Sequence, residues 1–316
     1  MRVLLTGANG HLGDLTLREL TRQGHIVRCF MRKKEAAKQL QRIGKQGQVE
    51  IALGDMRDAT AIACACADQA VVVHLAAVLP PVSEQQPEMA RAVNVGGTQA
   101  LIQALQALPQ PSKLVYASTV AVFGDTQAQQ PPRRVGDPLH PMDPYSKHKA
   151  ECEALLAASG LTSAVLRMSA IPRYDERFDE LRIRALFSIP PSDRMECIYP
   201  EDAALALANA VSSPDVWGRT LIVSGGRGCQ MTMGDYYRGY LDAAGIGAFD
   251  AKHFGTEHYH LDWYDTSESE ALLHYQQHSF ADFIREVRRR QRLTRLGVFL
   301  VRPFVRAFLL RYSLRH

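Results

Sequence analysis

The feature that most constrains this chain is a glycine-punctuated turn near its start. Residues 1–13 read MRVLLTGANGHLG, in which the apolar run Val3-Leu4-Leu5 gives way to Gly7, Gly10 and Gly13. Three apolar residues are too few for a helix, but they suit a buried parallel strand, whose two covered faces allow an unbroken apolar run. Gly7 permits a tight bend, Gly10 lets the backbone approach a bound group, and Gly13 lets a following helix, expected over 12–23, pack on the strand. Such a helix points unpaired N–H groups and its positive end at the turn, where a pyrophosphate could sit. A glycine triplet alone is weak and can be a turn that binds nothing. A strand before it and a helix after it make this one a candidate dinucleotide site.

With 316 residues, 46% of them hydrophobic, the chain can bury one large core, alone or with a smaller lobe. The net charge of +4 is unevenly spread, because 285–316 hold ten arginines against a single acid, Glu286, and the remainder is slightly acidic. A general nucleic-acid surface is therefore not indicated. The six cysteines (Cys29, Cys64, Cys66, Cys152, Cys197, Cys229) have no framework spacing and read as small core residues of a reduced, cytoplasmic protein. Cys64 and Cys66 lack the second pair that a metal site would need. The chain opens on a strand without a signal-peptide pattern, and no apolar run reaches the ~18 residues that span a bilayer.

Further strands are expected over 24–31, 49–53, 70–75, 113–117, 161–167 and 221–223, alternating with helical patterns, which describes a parallel sheet wound on both faces. The end of the second strand bears on the cofactor. An acid there would accept hydrogen bonds from the ribose hydroxyls of NAD, whereas this chain has Met31 followed by Arg32, Lys33 and Lys34. Cations at that place favour NADP, with Arg32 pairing the 2′-phosphate and Lys33 or Lys34 assisting, although NAD stays open and the same cations could be a solvated helix start. Asp55 is placed to accept from an adenine amino group, though such residues often only cap a turn. Ala76 and Ala77 are small residues just past a strand end, where a cofactor can lie against the backbone, and His74 reads as a satisfied core residue. In the helical stretch 84–108, the Gly96-Gly97 pair suggests close packing on the sheet.

The strand over 113–117 delivers Ser118 and Thr119 to its carboxyl end, where open α/β sheets bind ligands. A proline-rich loop leads to a helix opening Tyr145-Ser146-Lys147-His148-Lys149. Tyr145 and Lys149, four residues apart, share a helix face. An ammonium beside a phenol favours the phenolate, which would lower the tyrosine pKa and suit it to proton transfer. The pair taken alone is common by chance.

Together these residues resemble the extended short-chain dehydrogenase/reductase family, of the NAD(P)-dependent epimerase/dehydratase-like kind. The resemblance rests on Thr6-Gly7-Ala8-Asn9-Gly10-His11-Leu12-Gly13, Gly54-Asp55, His74-Leu75-Ala76-Ala77, Asn94-Val95-Gly96-Gly97-Thr98, Ser118-Thr119 with Val122-Phe123-Gly124, and Tyr145 to Lys149, in the family's order over 1–168. It implies a Rossmann-type, doubly wound parallel sheet with a smaller C-terminal substrate lobe. It implies cofactor contacts from Gly7, Asn9, Gly10, His11, Leu12, Gly13, Asp55, Met56, Leu75, Ala76, Ala77, Asn94, Ser118, Tyr145 and Lys149, joined by Arg32 and Lys33. It also implies catalysis by Thr119, which would bind the substrate oxygen, by Tyr145, which would exchange a proton with it, and by Lys149, which would hold the nicotinamide ribose and lower the Tyr145 pKa.

Departures from the family pattern narrow the substrate. Thr119 is followed by Val120-Ala121 where dehydratases carry Asp-Glu, and Met195 stands where nucleotide-sugar enzymes place a diphosphate-binding arginine, with Arg194 one place off. Arg167-Met168 replaces the usual Arg-Pro.

The resulting expectation is a dinucleotide-binding domain over 1–168, to which 198–224 returns, a substrate lobe over 169–197 and 225–291, and a basic amphipathic tail over 292–316. Arg182, Arg184 and Arg194 could meet an anionic substrate, but a solvated helix face is the simpler expectation. His253, His258 and His260, with Glu257 and Asp262, match no metal-site spacing, so no metal is expected. The tail could lie in the headgroup layer of an anionic bilayer, dock on the protein's own lobe or contact a second copy in a homodimer. The function expected is an NADP-preferring oxidoreductase acting on a carbonyl or hydroxyl of a small, lipophilic substrate. The alternatives are a nucleotide-sugar epimerase with retained NAD(P), or a non-catalytic dinucleotide sensor or assembly factor.

Overall fold

The computed structural model describes residues 1–32, 37–43, 45, 47–174 and 180–313. The apolar run behind the first glycine turn forms β1 (Arg2–Thr6), and the other predicted runs form β2 (Ile26–Met31), β3 (Val49–Leu53), β4 (Val71–His74), β5 (Lys113–Thr119), β6 (Ser163–Met168) and, further along, β8 (Thr220–Val223). These seven strands make one sheet in the order β3-β2-β1-β4-β5-β6-β8, with every neighbouring pair parallel. The order reverses between β1 and β4. That is the switch point of a Rossmann-type sheet, where a crevice opens beyond the strands' carboxyl ends.

Both faces of the sheet are covered, which is why its strands are apolar throughout rather than alternating. Val3 and Leu5 face one core with Val73 and Leu166, whereas Leu4 faces the other with Val72 and Tyr116. Helix α1 (His11–Arg22) packs against the helix Pro200–Ser212 on the first side. Helices α2 (Ala59–Cys66) and α3 (Gly97–Gln106) pack together on the second, beside Cys152 and Leu156 of α4 (Pro144–Ala158). The helical stretch before α3 is less regular than its sequence suggests, because Ala92–Gly96 is a π-helical turn.

The ends of β1 and β4 are joined by a buried chain of hydrogen bonds. The Thr98 hydroxyl donates to Asn94 O (2.6 Å), so it accepts from His74 Nε2 (3.0 Å). His74 Nδ1 is then left to accept from the Thr6 hydroxyl (2.7 Å), whose oxygen accepts in turn from the N–H groups of Leu75 (3.2 Å) and Ala76 (3.1 Å). The network thus assigns His74 the neutral Nε2–H tautomer. Burial, with the Lys149 charge nearby, lowers its pKa to about 3.

Beyond the sheet lies a lobe not resolved into elements by the sequence reading. It contains a short antiparallel ribbon of β7 (Arg194–Glu196) and β9 (Gln230–Thr232), the helix α5 (Glu180–Ser188), and the helices Met233–Ala243 and Phe280–Arg290. The tail forms two further helices, Arg292–Leu300 and Arg302–Leu310. One side of this hairpin docks on the lobe, where Val298, Val305 and Leu309 pack with Ile183, Leu186 and Phe187. Arg306 fastens it by donating to the carbonyls of Ile246, Gly247 and Ala248. Among the described residues, no helix is long and apolar enough to cross a membrane.

The unfolded chain protonates histidine near 6.5 and the folded chain protonates His74 only near 3, so folding loses stability as pH falls through that window. Between pH 7 and 4 the His74→Gln chain should lose stability less steeply than the parent, by up to about 1.4 kcal/mol per pH unit. Urea midpoints measure this, and parallel curves would remove His74 from the acid response.

Candidate active site

The crevice at the switch point is a cleft of about 620 Å³. Its floor is the glycine turn. Gly7 has φ +75°, and Gly10 N–H donates to Gly7 O (2.9 Å), closing the bend. A Cβ at position 13 would stand 2.1 Å from Gly7 O, and one at position 7 would stand 2.9 Å from Ala76 N. The glycines are therefore required for helix-to-turn and strand-to-turn approach. Gly10 caps α1 without a side-chain hydrogen bond, so no capping oxygen occupies the first-turn N–H groups facing the cleft. That bare helix start, walled by small residues, fits the diphosphate of a dinucleotide.

Gly7, Asn9, Gly10, His11, Leu12, Gly13, Arg32, Asp55, Met56, Leu75, Ala76, Ala77, Ser118, Thr119, Tyr145 and Lys149 all line this one cleft. Lys33 and Lys34 lie outside the described residues. Asn94 is the exception, because it sits buried behind the wall. Its side chain accepts from Val78 N–H (2.7 Å) and donates to Val78 O (3.0 Å), clamping the segment that follows β4. The sequence reading missed Phe30, whose ring fills the space over Gly54 at the far end of the cleft.

At the end of the cleft beside β2, Asp55 is held as a carboxylate at about 2 by Arg57, with burial opposing and Arg32 adding a weaker pull. Arg57 Nε lies 2.8 Å from Asp55, and Arg32 lies 3.9 Å from it with an exposed side chain. Arg32 therefore stands at this end of the cleft without being locked in a tight pair.

At the opposite end, α4 lies across the end of β5. Asp143 caps α4 by accepting from Ser146 N–H (2.9 Å), and Pro144 supplies the fixed φ of its first turn. From that start Tyr145, Lys149 and Glu153 follow at four-residue spacing on one face. Lys149 Nζ donates to Ala117 O (2.6 Å), and the Ser118 hydroxyl donates to Glu153. The Ser118 side chain is thus turned to Glu153 and not to the cleft. Arg167 completes this buried support by pairing with Glu153 (2.7 Å). Glu153 was readable as the next residue of the Tyr145/Lys149 stripe, and its partner is the arginine kept where Met168 replaces the usual proline.

The Thr119 hydroxyl accepts from Ala121 N–H (3.2 Å), which leaves its proton available to a ligand. The Tyr145 hydroxyl has no hydrogen-bond partner among the described residues. Lys149 Nζ stands 5.8 Å from the Tyr145 ring centre and 4.6 Å from that of Tyr116. Spacing alone suggested a lowered tyrosine pKa, and the geometry corrects this. Burial raises the Tyr145 pKa above its usual value, and Asp143 and Tyr259 push it further. Burial also lowers Lys149 to about 8. Desolvation outweighs the neighbouring ammonium, so Tyr145 is held protonated.

The cleft lining further includes the apolar Val78, Leu79, Met168 and Ile171 and the charged Arg173. Arg194 does not reach the cleft. It binds Asp262 (2.6 Å) and the carbonyls of Thr126, Gln127 and Gln129, while Met195 is buried. Arg184 pairs with Glu180 on an exposed helix face, and the Arg182 side chain lies outside the described residues. The clustered histidines separate: His258 pairs with Asp193 (2.9 Å) and His260 with Asp143 (3.4 Å).

A switch-point cleft floored by a glycine turn, with a Tyr/Lys helix across its far end, defines a Rossmann-type protein of the extended short-chain dehydrogenase/reductase class. The chain belongs to the NAD dependent epimerase/dehydratase family, whose family model matches residues 3–171. Solved structures of similar fold include a short-chain dehydrogenase/reductase superfamily protein from Agrobacterium tumefaciens with bound NAD, at 19% identity and TM-score 0.76, covering 94% of this chain and 99% of that one. A UDP-glucose 4-epimerase from Stenotrophomonas maltophila, solved with NAD and formylated UDP-arabinopyranose, is 22% identical with TM-score 0.75, covering 92% and 98%. Among curated proteins, methionine adenosyltransferase 2 subunit beta is 29% identical over 188 residues in Bos taurus and 30% over 189 in Rattus norvegicus, in each case 59% of this chain. The chain spans about half the length (52%) of these curated relatives.

Since a Cβ at position 13 meets a carbonyl at 2.1 Å and one at position 10 meets it at 3.2 Å, Gly13→Ala should melt lower than Gly10→Ala. The expected difference is about 1–3 kcal/mol, the usual cost of overpacking. Equal melting temperatures would show that α1 yields to the added methyl.

Proposed function

We propose that the protein is an NADP-preferring oxidoreductase that reduces a carbonyl of a small, apolar substrate or runs the reverse oxidation. The observation that carries this is a Thr119 hydroxyl and a protonated Tyr145 lining one cleft with Val78, Leu79, Met168 and Ile171. Bound NADP would supply or accept the hydride. The first turn of α1 and the Gly7 bend would hold its diphosphate, Asp55 the adenine, and Arg32 the 2′-phosphate.

Thr119 donates its free proton to the substrate oxygen, and Tyr145 donates a second hydrogen bond to it. As the oxygen gains charge, the Tyr145 proton moves onto it, and the Lys149 ammonium stabilises the phenolate left behind. A phenol kept protonated by burial suits the reductive direction. Val78, Leu79, Met168 and Ile171 offer carbon to the rest of the substrate, with Arg173 as the charged side chain among them. Arg194, committed to Asp262, is not available to a nucleoside diphosphate, which sets the reading apart from the nucleotide-sugar epimerases of similar fold.

A binding subunit without chemistry is the second reading, favoured by the subunit name of the curated relatives. Tyr145→Phe separates the two. An enzyme should lose about 10²–10⁴-fold in kcat with NADPH and a panel of aliphatic aldehydes and ketones, while its cofactor Kd stays nearly constant. Wild-type protein that binds NADPH but consumes none with any of them would favour the binding subunit. Arg32→Ala should weaken NADP binding about tenfold and leave NAD binding unchanged. Equal losses for both, measured by titration calorimetry, would remove Arg32 from the 2′-phosphate.

A further inference from the structure

The tail hairpin has two sides, and only one is occupied. Val298, Val305 and Leu309 face the lobe. On the helix Arg292–Leu300, Leu296 (62% exposed), Phe299 (63%) and Leu300 (81%) share the opposite face, and on Arg302–Leu310 Phe304 (78%) and Phe308 (48%) share the face next to Val305 and Leu309, with Phe308 also meeting Tyr312. The exposed Val301 stands at the turn between the two helices. Three aromatic rings and three aliphatic side chains are thus exposed within one short hairpin, more apolar surface than soluble monomers commonly leave uncovered.

The charge around that surface indicates what covers it. Arg285, Arg289 and Arg290 sit against Asp282 or Glu286. Arg302 and Arg306 are tied to backbone carbonyls around Ile246. Arg288, Arg292, Arg295 and Arg311 are exposed, with no ion pair among the described residues. Unpaired guanidinium groups beside buried-type side chains match a surface whose outer layer is phosphate and whose inner layer is hydrocarbon. A symmetric dimer through this face would set each arginine cluster against its own copy, which opposes the contact. Each helix has nine residues, roughly 14 Å of length, far short of a bilayer's hydrocarbon core of about 30 Å.

We propose that the outer face of 292–311 is a docking surface for an anionic phospholipid bilayer, with Leu296, Phe299, Leu300, Phe304 and Phe308 immersed below the headgroups and the free arginines on their phosphates. The hairpin lies in the interface plane without crossing it, and the lobe-facing side keeps its packing. The inference stands apart from the proposed chemistry.

Removing the tail would uncover Ile183, Leu186 and Phe187, so the test uses the full chain and exposed positions only. Purified protein is floated with vesicles of phosphatidylcholine and phosphatidylglycerol, and with phosphatidylcholine alone. Flotation should be at least roughly tenfold greater with the anionic vesicles and should fall as NaCl rises from about 0.1 M to about 0.5 M. Phe299→Ser/Phe304→Ser should reduce it by about tenfold without changing the melting temperature. Arg288→Gln/Arg292→Gln/Arg295→Gln leaves the apolar face alone and should also reduce it, which keeps the test open if the first variant unfolds. Absence of flotation with anionic vesicles overturns the proposal. So does flotation of the folded arginine variant at the wild-type level, or light scattering that shows a dimer lost in the phenylalanine variant, which would assign the face to a second copy.

Discussion

The structure depends on a line of buried hydrogen bonds from Thr6 through His74 and Thr98 to Asn94 O. Each of these polar groups is out of water, where an unpaired donor or acceptor costs about 1–3 kcal/mol. Each is instead paired, with the protons assigned in one direction. The result fixes where β1 and β4 end relative to each other and to the π-helical turn Ala92–Gly96. Since the glycine bend follows β1 and the Leu75–Ala77 wall follows β4, the shape of the cleft is set by this line before any ligand arrives. Asn94 extends it by gripping both backbone groups of Val78.

The far end of the cleft is built on a different balance. Tyr145 and Lys149 are brought close by helical spacing, but the space they share is dry enough for burial to dominate both. Burial lowers Lys149 to about 8, Cys152 and Glu153 push it back up, and Ala117 O accepts from its ammonium. Arg167 neutralises Glu153, and Ser118 is turned to the same carboxylate. Thr119, the next residue along the strand, is thereby left as the hydroxyl with a proton to give.

The sheet was legible because its signals are local and cooperative. Unbroken apolar runs, glycines at fixed offsets and the proline-rich loop before Tyr145 each state a backbone preference, and they agree with one another. His74 was readable as a core residue because a polar group in an apolar run needs a partner in the fold. Less legible were roles decided by distance through space. Asn94 lies in a motif that suggests a ligand contact, and only the π-helical turn shows that its amide faces Val78. Spacing identified the Tyr145/Lys149 pair but not the desolvation that reverses the expected tyrosine shift. Tyr259, more than a hundred residues away in the chain, gave no sign that it would face Tyr145. The ribbon of β7 and β9 was missed because three-residue strands carry almost no periodic signal.

The packing of Val305 and Leu309 on α5 has a consequence for the order in which the molecule is made. Ile183, Leu186 and Phe187 emerge from the ribosome well before the segment that covers them. Leu241, Ile246, Phe249 and Phe254 cover part of the apolar side of α5, and the cover is complete only once synthesis has passed residue 309. During that interval the nascent lobe is a sticky intermediate, and a chaperone would find its grip there.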